Sequence, residues 1–350
     1  PASLTDLDKT TLQPIFSTDF LRDKADIAWG RGKTKVAIEA ALDLGKVCTG
    51  PQQEDICELE LELREGEPAA LLELAIELAA ELPLMPCDIS KAERGYRLFD
   101  AASYSLSLPA PDLLPEQALD DVFATLAWHL LGSSQRLAEQ YRFNGHWKLL
   151  EQWLQQLTDL RALLSSLGQA APRASSHLLR EALDALLKDW RPLLQAGQQD
   201  AQRRQDAPAR FAEELGNTRW GHFSLQASLW LLQRHWVSTR NERGSRQGQA
   251  PLGKWLPRLL AAEVADLPLK RYQQQPEDLA EQLPRIERLL AWLRHARPLS
   301  ALPEVDRLYG ELLKLEELAH LPINAEQLAV RAMQAHTVTT LRAWRQLSRS

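Results

Sequence analysis

The stretch ICELELELREG, residues 56–66, alternates three glutamates with three leucines. Because successive residues of a β-strand point to opposite faces, Glu58, Glu60 and Glu62 would share one face at a spacing of about 6.6 Å. Glutamate is a poor strand former, and like charges side by side repel, so such a face is unfavourable unless cations lie opposite it. A divalent metal ion or a set of basic side chains would relieve the repulsion.

Two further segments alternate in the same way, and the breaks WGRGK and VCTGP separate them. The alternation predicts three antiparallel strands, at 15–29, 35–48 and 54–64. The second strand would add Glu39 and Asp43 to the acidic face, and the first would place Arg22 and Lys24 on one face of the same sheet. Alternation is also the ordinary pattern of a sheet with one solvated face, and the pattern alone leaves that interpretation open.

The rest of the chain has helical character. Residues 67–82 are rich in leucine and alanine, with Pro68 suited to a first helical turn, and they predict one helix. A second helix is expected over 90–99. The proline-rich connector that follows predicts a domain boundary. We therefore expect an α+β, mostly α fold with this division: a sheet-containing domain at 1–104, a linker at 105–116 and a helical domain at 117–350.

Charge is distributed unevenly along the chain. The net charge is −6; residues 1–100 hold 11 basic against 20 acidic side chains, or −9, and the remainder holds 30 against 27, or +3. The acidic first part argues against a nucleic-acid-binding protein. No apolar run reaches the roughly 18 residues of a membrane span, and the start has no basic region followed by an apolar stretch. A cytoplasmic protein without membrane contacts is the expectation.

The sequence lacks the motifs of several common kinds of functional site. Cys48, Cys57 and Cys87 have no CxxC spacing, so we expect reduced, structural cysteines, of which the two in strand-like sequence would behave as small hydrophobic residues. The eleven tryptophans are interpreted as core residues. No Ser/His/Asp order and no glycine-rich phosphate loop stands out, which disfavours nucleophilic hydrolases and P-loop enzymes.

Four blocks, LQPIFSTDFLRDK, IEAALDLGKV, ICELELELREGE and SKAERGYRL, together resemble the C-terminal half of a CYTH domain. This is the triphosphate tunnel metalloenzyme fold, and the blocks resemble in particular the bacterial inorganic triphosphatases that join CYTH to a helical CHAD domain. The resemblance implies the C-terminal part of an antiparallel β-tunnel barrel with a charged interior, followed by a CHAD helical bundle.

The resemblance also implies an activity and a set of site residues. The activity is metal-dependent hydrolysis of inorganic triphosphate, with Mg²⁺ or Mn²⁺ as the cofactor. The metal ligands would be Asp43, Glu58 and Glu60. The phosphate ligands would be Arg22, Lys24, Lys91 and Arg94. No further catalytic side chain is identifiable. Carboxylate oxygens suit Mg²⁺, and arginine and lysine form charge-assisted hydrogen bonds to phosphate, so these residue types fit the chemistry.

The chain departs from the family pattern at its start. CYTH domains open with an ExExK strand and further strands bearing basic residues, and no such segment precedes Pro1. We expect that this N-terminal segment, or another chain, completes the tunnel, because half a barrel leaves exposed strand edges. On this expectation the isolated chain is inactive.

The helical domain supports a second hypothesis. CHAD domains, as the resemblance implies, bind polyphosphate on a basic surface, but around EQWLQQLTDLRALL this chain keeps Arg161 and shows Glu151 and Asp159 where basic residues would fall. Residues 203–246 hold eight arginines against four acids, either a solvated helix face or an anion-binding patch. The alternative function is therefore a non-catalytic polyphosphate-binding or scaffold protein. An oligomerisation module with a vestigial sheet is a third possibility.

Overall fold

The computed structural model of the protein describes residues 9–30, 35–102, 105–321 and 323–349. The chain divides into two compact units. The sheet unit comprises Pro1–Leu78 with Pro86–Ser107, and the helical unit comprises Ala79–Met85 with Leu108–Ser350. The predicted division into a domain at 1–104, a linker and a domain at 117–350 stays a prediction, although the boundary at Ser107 lies inside the predicted linker.

The sheet unit holds one antiparallel sheet of three described strands in the order β1-β2-β3. The strands are β1 (Ser17–Trp29), β2 (Val36–Thr49) and β3 (Gln52–Glu65). The three predicted strands are thus confirmed to within two residues at each end. A bulge between Ala37 and Ile38 shifts the pairing of β2 with β3, and beyond it the register is continuous.

Helix α1 (Ala69–Glu81) covers one end of the apolar face of the sheet. Its Ala70 and Leu74 form a buried cluster with Val36 and Ile38 of β2, and partly buried side chains of β1, β3 and the helix itself pack around it. Burial of a leucine-sized side chain stabilises a fold by roughly 1.5–3 kcal/mol, so this cluster holds the helix on the sheet.

The other end of the apolar face is not covered by α1. Four leucines there are between 38% and 67% exposed: Leu21, Leu42, Leu44 and Leu59. The alternation predicted which residues share this face, but it could not predict how far along the strands the helix reaches.

Helix α2 (Lys91–Phe99) begins at Ser90, whose hydroxyl accepts a hydrogen bond from the backbone N–H of Glu93. The helix packs against all three strands, on the face opposite α1's. Gly95 makes this approach possible, because a Cβ atom there would lie 2.3 Å from the ring of Phe16. The Phe16 ring also packs edge-on against Tyr96, with the centroids 5.2 Å apart. Helix α2 is therefore fixed over the charged face of the sheet.

The helical unit contains the remaining α-helices, and short 3₁₀ segments connect several of them. The helices are α3 (Leu119–Asn144), α4 (Trp147–Ser166), α5 (His177–Gln199), α6 (Ala207–Leu215), α7 (Arg219–Leu232), α8 (His235–Ser238), α9 (Glu242–Gly248), α10 (Leu252–Ala265), α11 (Leu269–Tyr272), α12 (Leu283–Ala296), α13 (Val305–His320), α14 (Ala325–Thr340) and α15 (Arg342–Leu347). Among the described residues, 3₁₀ segments occur at Lys9–Thr11 in the sheet unit, and at Arg173–Ser176, Ala201–Asp206, Pro276–Gln282 and Arg297–Leu299 in the helical unit.

Aromatic side chains fill the core of the helical unit. The fully buried Trp153 packs edge-on against Trp190, Phe211 and Trp220, with ring centroids 5.3–5.5 Å apart. Edge-to-face pairs of this kind each add about 0.5–1.5 kcal/mol beyond area burial. The interpretation as core residues is confirmed for eight of the eleven tryptophans and is wrong for Trp128, which is 40% exposed, while Trp29 and Trp147 are partly buried.

The cysteine interpretation is partly wrong. All three cysteines are free, but Cys57 and Cys87 are exposed and only Cys48 is partly buried. Cys57 lies on β3, on the part of the apolar face that α1 does not cover. Separately, no helix among the described residues is long and apolar enough to cross a membrane.

Candidate functional site

The charged face of the sheet brings acidic residues of two strands beside a basic residue of the third. Arg22 of β1 pairs in register with Asp43 of β2, which pairs in turn with Glu58 of β3. Glu60 lies two residues further along β3, so it shares this face with Glu58. The predicted joining of the acidic faces of β2 and β3 is confirmed, because antiparallel pairing places these side chains in neighbouring rows.

Helix α2 supplies the remaining cations. Lys91, Arg94 and Arg97 are spaced three residues apart, so they lie on one side of the helix. Arg94 and Arg97 are 4% and 0% exposed, which places this side against the sheet. The block SKAERGYR thus folds as a capped helix whose basic residues meet the acidic strand face.

The contacts within this cluster are short. Lys91 Nζ lies 2.8 Å from Asp43 Oδ2, 2.7 Å from Glu58 Oε2 and 2.9 Å from Glu60 Oε1. Arg22 donates two hydrogen bonds of 2.6 Å to Asp43 and one of 2.8 Å to Glu60. Arg94 Nη2 lies 2.7 Å from Glu58 Oε1. We call these six residues the ion cluster.

Asp43 is the most buried carboxylate of the ion cluster, with 0% of its side chain exposed. Hydrogen bonds from Arg22, together with Lys91, lower the pKa of Asp43 to about 2, although burial alone would raise it. The pKa of Lys91 is raised: burial lowers it, but hydrogen bonds to Asp43, Glu58 and Glu60 outweigh the burial. All the contacts therefore favour the ionised forms of both groups.

The three carboxylates of the ion cluster could hold a metal ion. One oxygen each from Asp43, Glu58 and Glu60 lies within 4.8 Å of the other two. Oxygen atoms from carboxylates are the ligands that Mg²⁺ and Mn²⁺ prefer. The donor set therefore fits the ion that the sequence led us to expect, and Lys91 Nζ provides the positive charge among these oxygens.

Lys24 lies apart from the ion cluster. Its Nζ lies 2.8 Å from Glu39 Oε1, and Arg64 lies 2.6 Å from the other oxygen of Glu39. Hydrogen bonds from Lys24 and Arg64 lower the pKa of Glu39 to about 2. The structure thus brings together six of the seven predicted site residues and places Lys24 in a neighbouring ion pair on the same face.

Two charged residues near the ion cluster were missed by the sequence reasoning. Arg97 donates to both oxygens of Glu54 at 3.1 and 2.9 Å, and Arg94 Nε lies 3.7 Å from Glu54. The three-residue spacing of Lys91, Arg94 and Arg97 would have placed Arg97 on the same side of the helix as the other two. The alternation along β3 would have placed Glu54, four residues before Glu58, on the same face of the strand.

The blocks that form the ion cluster also relate this chain to known proteins. Residues 1–96 match the model of the CYTH domain. Over 92 residues the chain is 39% identical to an inorganic triphosphatase from Haemophilus influenzae. This alignment covers 26% of the chain and 25% of the relative, so it spans about a quarter of the length of that curated relative. The CYTH region, residues 1–96, contains all seven predicted site residues and ends just before Arg97.

Three of the eight arginines of the segment 203–246 pair with carboxylates of the helical unit. Arg219 pairs with Glu214 and Asp189, Arg234 pairs with Asp121, and the buried Arg240 pairs with Asp120. Each of these cations is already neutralised by a carboxylate. The segment therefore presents less positive charge to an anionic polymer than the count of eight arginines against four acids indicates.

Proposed function

We propose that this chain is part of a metal-dependent inorganic triphosphatase that hydrolyses a P–O–P anhydride over the charged face of the sheet. The observation that carries the proposal is the ion cluster, in which three carboxylates and three cations alternate within hydrogen-bond distance. The match of residues 1–96 to the CYTH domain and the relative named an inorganic triphosphatase support it.

The formal charges of the ion cluster cancel. Arg22, Lys91 and Arg94 contribute +3, and Asp43, Glu58 and Glu60 contribute −3. Triphosphate would pair with the cations of the ion cluster, and a divalent metal ion would pair with its carboxylates. Either ligand alone would break the internal ion pairs and leave the opposite charges without partners, and the other ligand would supply those partners. The two ligands are therefore expected to bind together rather than separately.

The chain's own residues would position the substrate. Arg22 and Arg94 can donate paired N–H groups to phosphate oxygens, and Lys91 adds a compact positive charge between them. Asp43, Glu58 and Glu60 would hold Mg²⁺ or Mn²⁺, which neutralises charge on the phosphate oxygens when it is bound. Attack of water on the terminal phosphorus breaks its bond to the bridging oxygen and yields phosphate and diphosphate. Positioning and charge stabilisation supply most of the catalysis in such reactions.

The cancelling charges lead to a binding prediction. We expect triphosphate to raise the affinity of the chain for Mn²⁺ by about tenfold or more, and Mn²⁺ to raise the affinity for triphosphate by the same factor, since such coupling is reciprocal. Calorimetric titration of each ligand with and without the other measures both factors, after correction for metal–triphosphate complexes in solution. Equal Mn²⁺ affinity at all triphosphate concentrations contradicts this exchange of ion pairs.

Hydrolysis provides the functional test. Glu58→Gln and Glu60→Gln are each expected to lower phosphate release from triphosphate about 10²- to 10³-fold, the usual cost of removing one preorganised charge contact. Glu62→Gln is the matched control: it lies on the same strand and face, is exposed and pairs with Arg64. The assay uses the protein that contains this chain, with Mg²⁺ or Mn²⁺. Full activity of the Glu60→Gln variant would exclude Glu60 from the site.

The helical unit is proposed to be CHAD-like, on the resemblance of its segments. Its action as a polyphosphate-binding scaffold, the alternative function, stays a prediction. The neutralisation of Arg219, Arg234 and Arg240 by neighbouring acids weighs against it. So does Glu151, which accepts a hydrogen bond of 2.7 Å from the indole of Trp147 at a position where a basic residue was expected.

A further inference from the structure

A cavity of about 530 Å³ lies within the helical unit, among helices α4, α5, α12 and α13. Acidic and amide side chains make up much of its lining, together with Arg191 and His320. The CYTH match does not account for it, because that match ends at residue 96, before the helices that line the cavity.

Three side chains in this cavity are arranged as metal ligands. Glu287 comes from α12, and Glu316 and His320 come from α13, where a spacing of four residues places them on the same face one turn apart. One potential ligand atom from each of the three lies within 4.8 Å of the other two. A single ion could therefore contact all three.

The surrounding contacts hold two of these groups in place. Glu287 is 6% exposed, and one of its oxygens lies 2.6 Å from Arg191. His320 Nδ1 lies 2.9 Å from the side-chain nitrogen of Gln195. Because an amide nitrogen can only donate, Nδ1 carries the lone pair of the neutral imidazole, and it is the ring atom that could ligate an ion in place of the contact with Gln195.

The electrostatic balance of the cavity favours an added cation. Four carboxylates, those of Glu151, Glu287, Glu316 and Glu317, line the cavity beside one guanidinium, that of Arg191. Oxygens of Glu287 and Glu316 lie within 4.8 Å of each other, so these carboxylates repel when both are ionised. Among the described residues Glu316 has no hydrogen bond or ion pair, and a divalent ion would offset the repulsion and provide Glu316 with a partner in a partly enclosed, low-dielectric space.

We infer that Glu287, Glu316 and His320 bind one divalent transition-metal ion of the zinc class. Imidazole nitrogen suits Zn²⁺ and related transition-metal ions, carboxylate oxygen is also a ligand of Zn²⁺, and three protein ligands leave a fourth position open to water. The ion cluster offers oxygen ligands alone, which favour Mg²⁺. The two sites are thus distinguished by their donor atoms.

The test is a Zn²⁺ titration of the full chain by isothermal calorimetry in excess Mg²⁺, which competes for the oxygen ligands of the ion cluster. We expect one Zn²⁺ per chain, with the affinity lowered about tenfold or more in His320→Gln and in Glu316→Gln. Glu317→Gln, an exposed residue lining the same cavity, is the matched control and is expected to leave the affinity unchanged. Glu60→Gln is expected to leave it unchanged as well.

Binding of Co²⁺ gives a second readout. The visible d–d absorption of Co²⁺ bound to the chain is expected to change in His320→Gln, because a nitrogen ligand is lost, and to persist in Glu60→Gln. Circular dichroism establishes that each variant is folded. Absence of a Zn²⁺ site in excess Mg²⁺, or Zn²⁺ binding that is lost in Glu60→Gln but retained in Glu316→Gln and His320→Gln, overturns the inference.

Discussion

Lys91→Met is expected to change the affinities for metal and triphosphate in opposite directions. The ammonium of Lys91 lies within 2.9 Å of Asp43, Glu58 and Glu60, the three carboxylates proposed to hold the metal ion. Its removal leaves these carboxylates with less positive charge nearby, so Mn²⁺ should bind at least about tenfold more tightly when triphosphate is absent. Triphosphate should bind roughly 10- to 100-fold more weakly, the usual effect of losing hydrogen bonds from a charged donor.

Lys24→Met is the matched control for this experiment. Lys24 lies on the same face of the sheet but pairs with Glu39, outside the ion cluster. We expect it to change either affinity by less than about threefold. Calorimetric titrations of both variants with Mn²⁺, and separately with triphosphate, provide the comparison. Equal effects of the two substitutions, or a lower Mn²⁺ affinity in Lys91→Met, would contradict the proposed exchange of ion pairs.

Asp43→Asn is expected to destabilise the sheet unit by roughly 3 kcal/mol. Asp43 is fully buried, and it accepts hydrogen bonds from Arg22 and lies 2.8 Å from Lys91. Removal of its charge leaves both cations with less compensation, and breaking a buried ion pair from one side is costly. Hydrogen–deuterium exchange of peptides from β1–β3 measures the change without interference from the helical unit.

The same substitution should remove a pH dependence. The pKa of Asp43 is lowered to about 2 from an ordinary value of 3.8, chiefly by the hydrogen bonds from Arg22. A lowered pKa means that the stabilisation is complete above the ordinary value and is lost as the pH falls through the lowered one. The sheet of the unchanged protein should therefore lose this contribution between about pH 4 and pH 2, whereas the Asp43→Asn variant should not show that component.

Asp55→Asn is the control for the stability experiment. Asp55 is exposed and lies on β3, outside the ion cluster. It is expected to change amide exchange in the strands by less than about 0.5 kcal/mol, as exposed surface substitutions usually do. A similar loss of protection in the two variants would indicate that Asp43 has no special role in holding the strands together.

The local elements of the sheet unit were predictable because their signals are short-range. Alternation with a period of two determines which strand residues share a face, and it predicted the common face of Glu58, Glu60 and Asp43 correctly. The capped helix over SKAERGYRLF follows from a serine before a run of helix-forming residues. The exposure of Cys57 was not predictable, because it depends on how far α1 extends over the neighbouring strands.

The amino-acid sequence by itself determined the residue types, their strand faces and their resemblance to the CYTH domain. Only the tertiary structure decided which charged side chains form ion pairs. Strand register placed Arg22 beside Asp43, and the docking of α2 placed Lys91 among three carboxylates. Lys24 pairs with Glu39 instead. In the helical unit, the one-turn spacing of Glu316 and His320 was present in the sequence. Their meeting with Glu287, 29 residues earlier on another helix, required packing. The physical reason is that local periodicity acts over a few residues, whereas ion pairs and metal-ligand sets join segments that are distant along the chain.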